Sequence, residues 1–190
     1  MEYAHLHKFL NSTETIKERS VTYAGIITFC NMDGVDIGSL ESYQNSYGVI
    51  TKVAVHKGRY ECYYDLTEDL KHVNAIMIVS SDYQGEVLKT PEKLGEINVG
   101  LSGVVGFFSS PKKEYTGKQL EKYMGELISQ HNGKAWVHLN SKQFMAPSSQ
   151  GIATRVPVFV HRDADGNVDA FQMEFNRKAD EEMAEAIETA

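Results

Sequence analysis

Two acidic residues three positions apart, Asp33 and Asp36, stand in the glycine-bearing stretch Asn31-Met32-Asp33-Gly34-Val35-Asp36-Ile37-Gly38-Ser39. Carboxylates in a turn at a strand end are groups that bind cations or move protons, because loops present them to solvent and substrate. The chain carries seven histidines, and Asp33, Asp36 and one of these brought close by folding would make the site of a small-ligand-binding protein or a hydrolytic enzyme. A second acidic set, Asp163-Ala164-Asp165-Gly166-Asn167-Val168-Asp169 with Glu174 twelfth, supplies oxygens at positions 1, 3, 5 and 12 of a calcium loop. Its sixth place is Val168 where the sharp turn needs glycine, and strand-like alternation flanks it, so it reads as a hairpin turn. His5 and His7 have the spacing of strand metal ligands, but no nearby Cys, Asp or Glu completes a set. The glycines of Gly100–Gly106 lead into Phe107-Phe108-Ser109-Ser110-Pro111 rather than a helix or a Gly-Lys-Ser pair, so they make no phosphate loop. Neither a metal nor a cofactor is implied.

The remaining chemistry is that of contact. Tyr43, Tyr47, Tyr60, Tyr63, Tyr64 and Tyr83 form an aromatic set suited to protein or ligand binding. The tightest group is Tyr60-Glu61-Cys62-Tyr63-Tyr64-Asp65. On a strand, Tyr60, Cys62 and Tyr64 share one face while Glu61, Tyr63 and Asp65 share the other. Cys62 draws the first set inward, so Tyr63, Glu61 and Asp65 are the predicted binding surface.

The elements that would position these groups follow from the pattern along the chain. Val156, Val158 and Val160 alternate before Asp163-Ala164-Asp165-Gly166, and Val168 to Phe175 returns with the same period, which predicts a hairpin. Tyr60 to Asp65 and Val73 to Ile78 suggest an earlier copy, so 48–79 and 151–175 are candidates for an internal duplication. Thr22 to Cys30 reads as a strand with a bulge at Gly25. Gly48 to Lys57 is a strand, and so is His72 to Ser80, apolar on both faces and therefore placed mid-sheet. Ser81 to Glu96 reads as loop, Ile97 to Ser109 as strand, Ala135 to Leu139 as strand and Lys142 to Gln150 as loop. Thr116 and Gln119 have capping-box spacing, followed by the apolar stripe Leu120, Tyr123, Met124, Leu127 and Ile128, with Gly133 as the stop. Lys178 to Ile187 predicts a short C-terminal helix.

Bulk properties narrow the class. A chain of 190 residues with 42% hydrophobic residues, 24% charged and four prolines is one ordinary globular domain. A net charge of −7 with scattered basic residues argues against nucleic-acid binding. No apolar run approaches the roughly 20 residues of a membrane helix, and the N-terminus lacks the basic-then-apolar order of a signal peptide. The expected setting is cytoplasmic, with Cys30 and Cys62 reduced.

One resemblance covers about two thirds of the chain through short motifs. Ser148-Ser149, Val156-Pro157-Val158-Phe159-Val160, Arg162-Asp163-Ala164-Asp165-Gly166-Asn167-Val168 and Met173-Glu174-Phe175, with Val105-Gly106-Phe107-Phe108 and Gly58-Arg59-Tyr60 upstream, resemble a bacterial and phage domain family with no established activity. That family reads Ser-Ser-Gly, Gly-Asp-Gly, Tyr-Pro-Val-Tyr, then an Asp-x-Asp-Gly hairpin. Ala153-Thr154-Arg155 stands where the family has Gly-Asp-Gly, so a family site at that place would be lost here. The resemblance implies a fold and no activity.

Together these readings predict a single α+β domain over 1–190. A mostly antiparallel sheet is built around two long hairpins, with Thr116–Gln130 as an amphipathic helix on one face and a short helix at the end. The expected function is that of a non-catalytic cytosolic binding protein, an immunity-type or phage-encoded inhibitor whose partner is another protein. The Asp33/Asp36 ligand-binding or hydrolytic site is the alternative.

Overall fold

In the computed structural model, residues 21–29, 34–41, 48–67, 70–83, 92–131, 134–148 and 155–175 are described. In chain order they form β1 (Val21–Phe29), β2 (Val35–Ser39), β3 (Ile50–Val53), β4 (Gly58–Leu66), β5 (Val73–Ser80), β6 (Glu92–Asn98), β7 (Val104–Ser109), α1 (Gly117–His131), β8 (His138–Leu139), β9 (Gln143–Pro147), β10 (Arg155–Arg162) and β11 (Val168–Glu174). Every ladder is antiparallel. The first sheet has the order β1-β4-β5-β11-β10-β6 and the second β3-β2-β7-β9-β8.

The two sheets share one apolar interior. Ile27, Tyr60, Cys62, Ile76, Ile78, Val156, Val158, Val160, Phe171 and Met173 from the first meet Val35, Ile37, Val105, Phe107, Phe144 and Ala146 from the second. Phe107 and Phe171 touch across the layer with ring centroids 5.6 Å apart. At about 1.5–3 kcal/mol per fully buried large side chain, this layer is the main source of stability. The architecture is thus a mostly antiparallel sandwich, with α1 the one helix among the described residues.

β5 is buried along its whole length and sits between β4 and β11, as residues apolar on both faces require. α1 begins at a closed capping box: the Thr116 amide donates to Gln119 Oε1 at 3.0 Å and the Gln119 amide to Thr116 Oγ1 at 3.3 Å. Leu120, Tyr123, Met124 and Leu127 lay the helix on the outer face of the second sheet, against Leu40, Val104, Phe108 and Met145. Ile128, the last position of the predicted stripe, is 58% exposed.

Several elements differ from their sequence reading. The turn-rich stretch holding Asp36 is the buried strand β2, since Val35 and Ile37 alternate into the interior and outweigh the turn-forming glycines. The predicted loop Lys142–Gln150 contains β9, whose Phe144 and Ala146 face the interior while Met145 faces the helix. β6 begins inside the predicted loop Ser81–Glu96, and its charged composition suits the edge it occupies. The strands read at Gly48–Lys57 and Ala135–Leu139 contract to β3 and β8. Asp33, Cys30, His5, His7, Tyr43, Tyr47, Gly133 and the C-terminal helix at Lys178–Ile187 lie outside the described residues.

β7 and β9 approach closely at Gly106, where a Cβ would lie 2.3 Å from the Phe144 carbonyl oxygen. Any side chain there would part the two strands.

Candidate functional site

The structure overturns the expected exposure of the tyrosine patch. Tyr63 is fully buried, its ring tilted against Tyr23 at 5.4 Å and packed with Ala75, Met77 and Val79, and its hydroxyl donates to Glu61 Oε2 at 2.9 Å. Asp65 is 1% exposed and accepts from Asn74 Nδ2 at 2.9 Å. Only Glu61 of the three is half-buried. The period of two sorted the faces of β4 correctly, but the outer face of the first sheet carries its own apolar layer.

Asp36 is likewise part of the framework. It is 1% exposed; Oδ1 accepts the Lys52 amide at 2.9 Å and Oδ2 the Lys112 amide at 2.8 Å. The first bond fastens Lys52 in a left-handed conformation with φ 52°. With both oxygens spent on backbone donors, Asp36 is a clamp between β2, β3 and the segment entering α1.

Histidines do meet carboxylates, at the turn joining β10 to β11. The segment 54–56 is strapped onto the start of β11 by the His56 amide to the Val168 oxygen at 2.9 Å and the Val168 amide to the Ala54 oxygen at 3.0 Å. This places His56 between Asp163, with Nδ1 to Oδ2 at 3.0 Å, and Asp82, with Nε2 to Oδ2 at 3.0 Å. Hydrogen bonds to Asp82 and then Asp163 raise the pKa of His56. Desolvation opposes ionisation of Asp163, yet bonds from His56 and from the amides of Asn167 and Asp165 hold its carboxyl below the usual range. Nearby, His161 Nδ1 lies 2.6 Å from Asp169 Oδ1, with Tyr83 edge-on to the imidazole at 5.0 Å. Burial pushes the Asp169 carboxyl up, against the pull of His161.

These groups line a cleft of about 680 Å³. His161 Nε2 has no hydrogen-bond partner among the described residues. Catalysis would need more. Both nitrogens of His56 are occupied, and Arg162 is held by Glu92 and by the Gly166 oxygen. Among the described residues the lining includes no Ser, Thr or Cys to act as nucleophile. The cluster ties three loops together. Asp163 also spends Oδ1 on the Asp165 and Asn167 amides at 2.9 and 3.0 Å, the bonding of a tight turn rather than a calcium loop. No group of three or more His, Cys, Asp or Glu able to hold a metal occurs among the described residues.

A second cleft, about 730 Å³, runs between α1, the segment entering it and the β8–β9 turn. Its wall is a pair of half-buried rings, Tyr115 and Tyr123, stacked 10° from parallel with centroids 5.5 Å apart. Lys113 Nζ lies 5.1 Å from the Tyr115 centroid, a cation–π contact. Gln143 Nε2 donates to the Tyr123 hydroxyl at 2.9 Å, and that hydroxyl lies 3.1 Å from His138 Nε2. Desolvation, then His131, lowers the pKa of His138, so the neutral imidazole accepts a hydrogen bond from the Tyr123 hydroxyl at Nε2 and fixes the ring. Lys113, Lys122 and Lys142 face this space with Glu126 as the one acid, and none of the three lysines is ion-paired with a described residue. Sequence reasoning missed this site because its lysines come from three separate segments. The available clue was Pro111-Lys112-Lys113 running into Tyr115, ahead of Lys122 and Tyr123 on one helix.

No helix among the described residues is long and apolar enough to cross a membrane. Compared with known protein families, curated proteins and solved structures, the chain matches none.

Proposed function

We propose that this chain is a non-catalytic binding protein that engages another protein through the cleft beside α1. The observation that supports the reading is the stacked Tyr115–Tyr123 wall, fixed from behind by Gln143 and His138 and faced by three lysines that form no ion pair with a described residue. Rigid tyrosines give large contact area at small entropic cost, and unpaired lysines give long-range attraction to an acidic partner. The immunity-type or phage-encoded inhibitor is the finer form of this reading, since such a protein needs a target and no turnover. A cytoplasmic setting accords with the buried free thiol of Cys62.

The test is capture from a lysate of the source cells by wild type and by the double variant Lys122→Glu/Lys142→Glu. Both positions are exposed, so the variant should melt like wild type. A partner recovered by wild type and lost by the variant supports the cleft. Equal recovery of the same partner by both proteins refutes it.

A further inference from the structure

Resting on the cleft as the binding surface, we infer that the group it selects is a phosphate ester. Three features of the lining carry this. The positive groups are all lysines, drawn from the segment before α1 (Lys113), from α1 (Lys122) and from the β8–β9 turn (Lys142). Arginine's planar fork matches carboxylate and phosphate alike, whereas lysine ammoniums act as compact point charges, and three of them from separate segments can meet a tetrahedral dianion from several directions. The histidine–carboxylate cleft shows the contrast: it holds Asp82, Asp163 and Asp169, and its arginine is neutralised by Glu92.

The second feature is the supply of neutral donors between the lysines. Gln119 on α1 and Asn140 and Ser141 on the β8–β9 turn are exposed and line the same cleft, so phosphate oxygens not facing an ammonium still meet an N–H or O–H. The third is electrostatic contrast. The protein carries a formal charge of −7, which repels dianions in general, and three lysines against one glutamate make this cleft a local exception. The Tyr115–Tyr123 wall would take the organic part of the ester. Lys113, on a flexible stem over Tyr115, can leave the ring and meet the phosphate.

A phosphate ester can come from a free small molecule or from a phosphorylated side chain of a partner, and one titration series separates them. Calorimetry would use phenyl phosphate, a phosphotyrosine peptide and the same peptide without phosphate, against wild type and Lys142→Glu. Phenyl phosphate is expected to bind wild type with Kd below about 1 mM and to weaken about tenfold or more in Lys142→Glu, and to weaken with added salt. A phosphopeptide binding more tightly than phenyl phosphate assigns the ester to a protein; equal affinities assign it to a free metabolite. Undetectable binding of both esters, or equal affinity for the peptide with and without phosphate, overturns the inference. The two proposals fail separately. If Lys122→Glu/Lys142→Glu loses its partner but no ester binds, the cleft stands and the phosphate falls. If esters bind wild type alone while capture is unchanged, the phosphate site stands and the protein-partner reading falls.

Discussion

Replacing Asp36 by alanine separates the clamp from a site of chemistry. The carboxylate is 1% exposed and spends one oxygen on the Lys52 amide at 2.9 Å and the other on the Lys112 amide at 2.8 Å. Hydrogen bonds to a charged partner contribute about 1.5–3 kcal/mol each, so two together approach about 3–6 kcal/mol. Removing a buried carboxylate also removes its desolvation cost, and the net loss expected is about 2–4 kcal/mol. For a chain of this length that lowers Tm by about 4–16 °C. Lys52 offsets part of the effect, because a non-glycine residue at φ 52° is held there by this bond and its strain is relieved when it relaxes. Asp36→Asn keeps one acceptor oxygen and turns an N–H donor toward the second amide, so it should fall between wild type and alanine. Thermal and urea melts followed by circular dichroism measure all three. An alanine variant melting within about 2 °C of wild type would refute the clamp and return Asp36 to the candidates for chemistry.

Two further outcomes follow from the same geometry. Tyr63→Ala should cost about 3–5 kcal/mol, as truncation of a buried aromatic does, where an exposed binding residue would cost almost nothing; urea melts decide between them. For His56→Gln the sign is set by the raised pKa of His56. The charged form is favoured in the folded state, so its contribution is fully present below the unfolded value of about 6.5 and fades as pH rises through the folded value. With the His56 side chain 33% and Asp82 74% exposed, screening leaves about 0.5–1 kcal/mol, and melts at acid and alkaline pH should show the wild-type advantage shrinking upward. A gap that widens toward alkaline pH would contradict the bonding of His56.

Much of the sheet was legible because apolar alternation encodes it. Val156, Val158 and Val160 point inward, β5 lies mid-sheet, and the box at Thr116 starts α1. β2 and β9 were hidden by composition: Asp36 and Gly38 look like a turn, and Ser and Gln flank Phe144. Their strand state comes from burial against the other sheet, a tertiary effect that local propensity does not carry. The sites were less legible still. His56, Asp82 and Asp163 meet only because segment 54–56 is strapped to β11, and Lys142 reaches the helix cleft only because β8 and β9 turn back beside α1. Spacing along a chain records faces of one element; it does not record which loops share a corner.

The position of β11 in the first sheet has a consequence for biosynthesis. β11 lies between β5 and β10, and β6 joins this sheet only through β10. As the polypeptide leaves the ribosome, β5, buried along its length in the folded protein, therefore waits with an open edge until β11 has been made. Contacts of such long sequence separation make nucleation slow, and an unpaired apolar edge is the surface on which nascent chains stick to one another. Folding of the first sheet thus waits until β10 and β11 have been made. The partly made chain is the form most in need of a chaperone.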